Sequence, residues 1–328
     1  MDIRALIAGF AFAFMWSSAF TSARLLVADA PPFAALSVRF ALSALVAIAI
    51  AALLGQSARI TRAQWGAVAL FGICQNTLYL GLNFLAMRWV EASVAVIIAS
   101  LLPLVVALAS RLFFNERLSP LAIAGLVIGL AGVALIMEGR LAGGGVDAAG
   151  LALMLAGLLS LAGATLLLRD ALPKRDLLMM VGLQMLVGSV TLLPLALLFD
   201  DWQVNWTPTL GLAFAYTTIF PGLAATLTWF WLVRRIGPTQ AASFHFLNPF
   251  LGVAVAALVL GEPLGLRDAL GVAIVALGIL AVQRARRPST ATPPTATPPP
   301  ATPPTAAPPP ATPPPASKPP TAKQAPMR

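Results

Sequence analysis

The chain has 328 residues, 59% of them hydrophobic and only 10% charged, with a mean hydropathy of +0.87. Soluble domains carry about a quarter charged residues, so this chain lacks the polar surface to face water on all sides. The net charge of +9 would point to nucleic acid only if the basic residues formed a solvent-facing patch. They punctuate the gaps between apolar runs instead, which argues against a nucleic-acid partner and for a lipid bilayer.

Ten apolar runs approach the roughly 20 residues that span a bilayer core. In chain order they are Ala5–Val27, Phe33–Leu54, Trp65–Met87, Ala92–Phe114, Ser119–Glu138, Ala149–Leu168, Leu177–Phe199, Thr209–Val233, Thr239–Leu260 and Gly265–Gln283. Being apolar on all faces, they read as transmembrane helices and not as amphipathic soluble ones. The first is longer than a signal-peptide core and no small-x-small cleavage site follows it, so it reads as an uncleaved span. With the N-terminus inside, Arg4, Arg59, Arg62, Arg111, Arg117, Arg169, Lys174, Arg175, Arg234, Arg235, Arg284, Arg286, Arg287 and the basic residues of the tail are cytoplasmic. Only Arg24, Arg88, Arg140 and Arg267 fall outside. That asymmetry places both termini in the cytoplasm.

Along the spans, the polar residues are the candidates for chemistry. Span one carries Trp16, Ser17, Ser18 and Thr21. Trp16 either stacks on a solute or fills core, and core filling is favoured. In span two, Arg39 lies about two turns from the outer border. It either snorkels to the interface or makes a structural bond, the favoured readings, or it anchors a carboxylate or phosphate on an anionic solute. In span three, "QNTLYLGLN" sets Asn76, Tyr79 and Asn83 on one stripe with Gln75 beside it. An unsatisfied amide facing lipid costs several kcal/mol, so these face protein or a wet cavity, and the cavity is favoured. Cys74, the single cysteine, reads as a small core residue. In span eight, Thr218, Gly222, Ala225 and Trp229 share a face, and Trp231 reads as an interfacial residue.

Span nine holds "SFHFLNPF", with the only histidine of the chain. His245 and Asn248 lie three apart on one helical face, between Ala241 and Gly252. They either line a cavity or glue two helices together. The proline break beside them tips the reading towards the cavity. Proline removes an i→i−4 hydrogen bond, and Pro103 and Pro249 fall near the middle of spans four and nine. No Asp or Glu lies at the centre of a span, so His245 is the one deep group that titrates near neutral pH.

The chain repeats itself. The segment from Phe84 and the segment from Phe230 align without a gap at an offset of 146, which pairs Pro103 with Pro249, Glu116 with Glu262, Gly125 with Gly271 and Gly132 with Gly278. Five spans per unit means that the second unit enters the membrane from the opposite side. The expected fold is therefore an all-α membrane protein of ten transmembrane helices in two inverted five-helix repeats. The expected domains are residues 1–138, residues 139–287 and a cytoplasmic tail, 288–328. Seventeen of the 28 prolines lie in that tail, mixed with Ala and Thr, a composition expected to be disordered.

"MWSSAF" with "PPFAALSVRF", "FNERLS", "LGEPLG", "AGLVIGLAGVALI" and "LGVAIVALGIL" resemble the ten-span EamA-type members of the drug/metabolite transporter superfamily. The resemblance covers nearly all of Ala5–Gln283 and excludes the tail. It implies transport, in the export direction, across a bacterial inner membrane, and it says little about substrate. Glu116 and Glu262 match the family pattern at membrane edges, as helix-end and packing residues or as a gating pair with Arg117 or Arg267.

The expected function is a secondary or facilitative transporter. It would move a small polar or amphipathic metabolite, such as an amino acid, by alternating access around a midplane cavity lined by spans one, three, four, eight and nine. Its candidate cavity residues are Trp16, Ser17, Arg39, Asn76, Tyr79, Asn83, Thr218, Trp229, His245 and Asn248. A proton or counter-solute is an expected partner, with His245 the candidate proton carrier. No cofactor, metal or catalytic residue is expected, and no P-loop of the form G-x-x-x-x-G-K-[ST] occurs. An intramembrane enzyme and a lipid-handling or scaffold protein are the alternatives. One His, one Cys and no central carboxylate weigh against the enzyme.

Overall fold

The computed structural model describes residues 3–113, 118–142, 147–167, 176–236, 241 and 243–285. The tail, Glu116 and Arg117 lie outside the described residues. Ten helical elements follow the ten apolar runs. They are α1 (Ile3–Asp29), α2 (Pro32–Leu53), α3 (Arg62–Ala86), α4 (Ala92–Phe113), α5 (Pro120–Ala142), α6 (Ala148–Leu167), α7 (Leu177–Phe199), α8 (208–236), α9 (Phe244–Leu260) and α10 (Leu266–Ala285). Within the described residues, α9 is the only one of them shorter than a full span. Helices dominate because a chain in hydrocarbon must satisfy every backbone N–H and C=O internally.

Their borders have local causes. Pro32 opens α2 at a position whose N–H is unpaired in any helix. Thr61 and Gln64 form a capping box that starts α3. Asp200, just past α7, accepts the N–H of Ala34 at 2.7 Å in the first turn of α2.

The halves are inverted, and the packing shows it. Helices α2 and α7 run antiparallel. Ser37 donates to the carbonyl of Ser189 and Ser189 donates to the carbonyl of Ser37, both at 2.9 Å, while Gly182 packs on Ile48 further along. Helices α5 and α10 also run antiparallel, Gly125 against Gly278 and Gly132 against Gly271. A Cβ on Gly125 would stand 2.8 Å from the Gly278 carbonyl, so these backbones meet only because side chains are missing. Helix α1 packs on α8 and α9, and its counterpart α6 packs on α3 and α4.

The proline pair breaks its helices more sharply than an interior kink. Helix α4 turns at Leu101 and restarts at Leu102, with Pro103 second in the new segment. In α9 a 3-10 turn, Ser243–Leu247, gives way to a helix starting at Asn248, with Pro249 second. Each proline thus sits where its missing N–H costs least.

A second pairing lies in α3 and α8. Each contains a π-helical segment, Ile73–Leu80 and Thr218–Ala224, at near-equivalent repeat positions. Pro221 lies inside the second and lacks the N–H an α-turn requires there. The first contains no proline, and its cause lies in packing: Gly72 sits so close to α7 that a Cβ would stand 2.8 Å from the Gln184 carbonyl.

Candidate functional site

A cavity of about 350 Å³ opens between α1, α3, α7, α8 and α9. Phe12 and Trp16 come from α1; Val68, Phe71 and Gln75 from α3; Leu177, Met180, Val181, Gln184 and Met185 from α7; Thr226 and Trp229 from α8; His245 from the 3-10 turn of α9. These positions fall in the N-terminal halves of α1, α3, α7 and α9 and the C-terminal half of α8. All therefore belong to the end of the bundle that carries the N-terminus, Arg4, Arg59, Arg62, Arg235 and Arg284.

One wall is an aromatic cage around His245. Its ring meets Phe12 edge-on at 5.2 Å between centroids, Trp16 edge-on at 5.8 Å and Trp229 at 5.3 Å. Phe12 also leans on Trp229 at 5.1 Å. The cage offers flat apolar faces and ring edges, and Gln75, Gln184 and Thr226 supply the polar contribution. Such a site suits a solute with an apolar body and a few hydrogen-bonding groups.

His245 is held in place by Asn248, whose Nδ2 lies 3.0 Å from His245 Nδ1. With that amide nitrogen donating, a neutral ring accepts at Nδ1 and carries its proton on Nε2. Asn248 is buried, and its Oδ1 has no partner among the described residues. Asn248 therefore orients the histidine and does not stand on the cavity wall. Gly252, one turn further on, packs against Val96 of α4.

Of the other candidates, Trp16 and Trp229 are on the wall and the span-three stripe is not. Asn76 is 1% exposed and donates to the Gln184 carbonyl at 2.8 Å. Asn83 is equally buried and donates to the Tyr79 carbonyl at 2.7 Å. Tyr79 is buried, with Gly157 of α6 against its backbone. The stripe faces protein, with Asn76 against α7 and Tyr79 against α6. Thr218 returns its hydroxyl to the Phe214 carbonyl at 2.7 Å. Ser17 and Arg39 are buried beyond the cavity wall. Helix α4, expected in the lining, is replaced there by α7; α4 is packed between α6 and α9. Phe12 and Met185 carry no sequence signal that separates them from core, whereas Gln184, an amide inside an apolar span, is a signal that sequence reasoning passed over.

At the opposite end lies a pocket of about 630 Å³ with Arg24, Arg88, Glu91 and Glu262 in its lining. Glu262 accepts the N–H of Ala92 at 2.7 Å and of Ser93 at 2.9 Å. This expected edge residue therefore ties the start of α4 to the end of α9. Nearby, Asp29 accepts from Asn205 Nδ2 at 2.9 Å and from Thr207 Oγ1 at 2.8 Å. Carboxylates thus knit the two repeats at the end away from the cavity.

Many secondary transporters are built as a membrane bundle of two inverted halves with a cavity where they meet. The sequence of each half matches the EamA-like transporter family, over residues 3–138 and 148–283. The chain belongs to the EamA-like transporter family. It is 24% identical to the uncharacterized transporter YvbV of Bacillus subtilis over 278 residues, covering 84% of this chain and 90% of that one. It is 27% identical over 278 residues to the uncharacterized inner membrane transporter YedA of Escherichia coli K12, covering 83% and 88%. A transporter of Archaeoglobus fulgidus is 27% identical over 279 residues, covering 83% and 95%. A crystal structure described only as that of a protein matches with a TM-score of 0.63 at 21% identity, over 88% of this chain and 100% of its own, which supports the fold alone.

Proposed function

We propose that the protein is a secondary or facilitative exporter that binds a small polar or amphipathic metabolite, of amino-acid size, in the aromatic cavity. The two repeats rock about that cavity to expose it on alternate sides. The observation that carries this reading is the cavity's make-up: both repeats supply its aromatic and amide lining at one end of the bundle, while the pocket at the other end is lined by charged residues and crossed by carboxylate-to-amide contacts between the repeats. Two unlike ends, one of them bonded across the repeats, fit one state of an alternating-access cycle. The cavity end is also the basic end, so the positive-inside rule makes it cytoplasmic, with both termini on that side. A cavity loaded from the cytoplasm fits export across a bacterial inner membrane.

His245 supplies the coupling in this reading. Protonation turns Nδ1 into a donor, which conflicts with the Asn248 amide nitrogen. The amide then rotates to present its unpaired Oδ1, and the cage shifts with it. Proteoliposomes holding the purified chain test the proposal. Saturable uptake from an amino-acid and amphipathic-metabolite panel is expected, with Trp229→Ala and His245→Ala abolishing it while the protein stays folded. Absence of flux for every solute, or a chemically altered product, would overturn it.

A further inference from the structure

Beyond the cavity floor lies a buried cation without a counter-charge. Arg39 is 6% exposed, and its Nε has no hydrogen-bond partner among the described residues. Its guanidinium lies over the Phe40 ring, 5.1 Å from the centroid, and no described carboxylate pairs with it. Ser43, one turn along α2 and 1% exposed, also leaves its hydroxyl unpaired. A charge removed from water is normally paired and hydrogen-bonded; among the described residues this one has no carboxylate beside it and its Nε makes no hydrogen bond.

The two unpaired groups converge on Gly222. A point one bond out from the Gly222 Cα, where a Cβ would stand, lies 3.5 Å from Arg39 Nη2 and 3.5 Å from Ser43 Oγ, with the Thr217 carbonyl at 3.2 Å. Gly222 sits one turn from Thr226 of the cavity wall, whose hydroxyl donates to the Gly222 carbonyl at 2.9 Å. The spot therefore lies one turn deeper along α8 than the cavity wall.

The repeat explains what is missing. At the offset of 146, Gly222 corresponds to Asn76, and Arg39 to Met185. Asn76 fills its own gap between α3 and α7 and spends its amide on the Gln184 carbonyl. The counterpart gap between α8 and α2 has glycine in place of the amide and arginine in place of the methionine. One half fills the position with its own amide side chain; the other brings the guanidinium and the hydroxyl up to a bare glycine.

We propose that Arg39, Ser43 and Gly222 form an oxyanion site one turn beyond the wall of the transport cavity, which the head of the solute reaches as it is carried, so that the solute has a carboxylate or phosphate head and an apolar body. The head takes charge-assisted hydrogen bonds from Arg39 and one from Ser43, while the body lies against Phe12, Trp16 and Trp229. The inference rests on the transporter reading and narrows its substrate class.

The test uses the full chain, purified, with thermal shift and proteoliposome flux. Probes are phenylacetate and isocaproate, inorganic phosphate, and neutral phenylacetamide. Phenylacetate or isocaproate is expected to raise the melting temperature if the head is a carboxylate, inorganic phosphate if it is a phosphate, and phenylacetamide is expected not to. Arg39→Met and Gly222→Asn, the latter installing the amide of the other repeat, are expected to weaken binding ~10–100-fold. Arg39→Lys retains part of it. If Arg39→Met fails to fold, Gly222→Asn and Ser43→Ala carry the test. Equal stabilisation by phenylacetamide, no stabilisation by any anion, or unchanged anion binding in the folded variants would overturn the site. Flux that persists in Arg39→Met and Gly222→Asn would sink the oxyanion site and leave the transporter; no flux at all from the wild type would sink the transporter.

Discussion

The carboxylate of Glu262, two residues past the end of α9, accepts the backbone N–H of Ala92, the first residue of α4, at 2.7 Å, and that of Ser93 at 2.9 Å. One side chain thus satisfies two of the amides that any helix start leaves unpaired, and it places a negative charge at the positive end of the α4 dipole. The contact joins the two repeats at the end away from the cavity. Glu262→Ala is expected to cost about 1–2 kcal/mol of stability, and Glu262→Gln, which keeps one acceptor, about half as much. Melting in detergent reads the loss. In flux assays the same variants should loosen the junction of the repeats at that end and raise leak of solute.

Arg39 also makes a prediction about stability without ligand. Burying an uncompensated cation is costly, so its removal relieves the apo protein. Arg39→Met is expected to melt at or above the wild-type temperature while losing transport. A lower melting temperature would mean that the guanidinium holds the bundle together.

The α5–α10 seam gives a sharper structural test. A Cβ on Gly278 would stand 2.5 Å from the Gly129 nitrogen and 2.7 Å from the Gly125 carbonyl. Gly278→Ala should therefore cost about 2–3 kcal/mol through overpacking. Gly163→Ala, where a Cβ meets nothing within 4 Å, should be neutral or slightly stabilising, since alanine favours helix. Equal melting temperatures for the two variants would contradict the seam.

The spans were legible in the sequence because bilayer thickness sets their length; α7 falls on the predicted Leu177–Phe199. The inversion was legible because five is odd. The cavity was only half legible. Trp16, Trp229 and His245 stand on its wall, but Asn76 and Asn83 look identical in sequence whether they bond a solute or a carbonyl. Which one they do depends on how α3 packs on α6 and α7, and nothing in "ICQNTLYL" announces the π segment found there. The corresponding segment of α8 does carry a mark, Pro221, because proline removes an N–H. Phe12 reads as core until the fold brings it against His245. Arg39 was visible as an oddity, but its lack of a partner needed the fold.

Asp200 gives a pH signature. Burial holds its carboxyl above the usual carboxylate range, and Asp201 adds to this, against the lowering pull of the Ala34 and Phe33 amides and of Arg88. The folded state then keeps this proton to higher pH than the unfolded chain does. Its contribution to stability falls as pH rises from the ordinary carboxylate range through the raised value. Asp200→Asn keeps an acceptor for the Ala34 N–H and should flatten that part of the melting-temperature profile. Asp200→Ala loses the acceptor and should melt lower across the range.

Coupling through His245 predicts that flux driven by a pH gradient disappears in His245→Gln while exchange between solute on the two sides remains. Asn248→Leu, which leaves the ring without its orienting amide, should weaken solute binding and blunt the pH dependence. Unchanged pH dependence in His245→Gln would remove the histidine from the coupling step.

The most direct measurement is the sidedness of the cavity. Thr226 lies on its wall, and Thr226→Cys in a Cys74→Ser chain puts a single thiol there. A membrane-impermeant thiol reagent is expected to label it from the cytoplasmic side and not from the outer side in the resting protein, with added solute slowing the reaction. Labelling from the outer side alone, from both sides equally or from neither would contradict a cavity that opens to one face at a time.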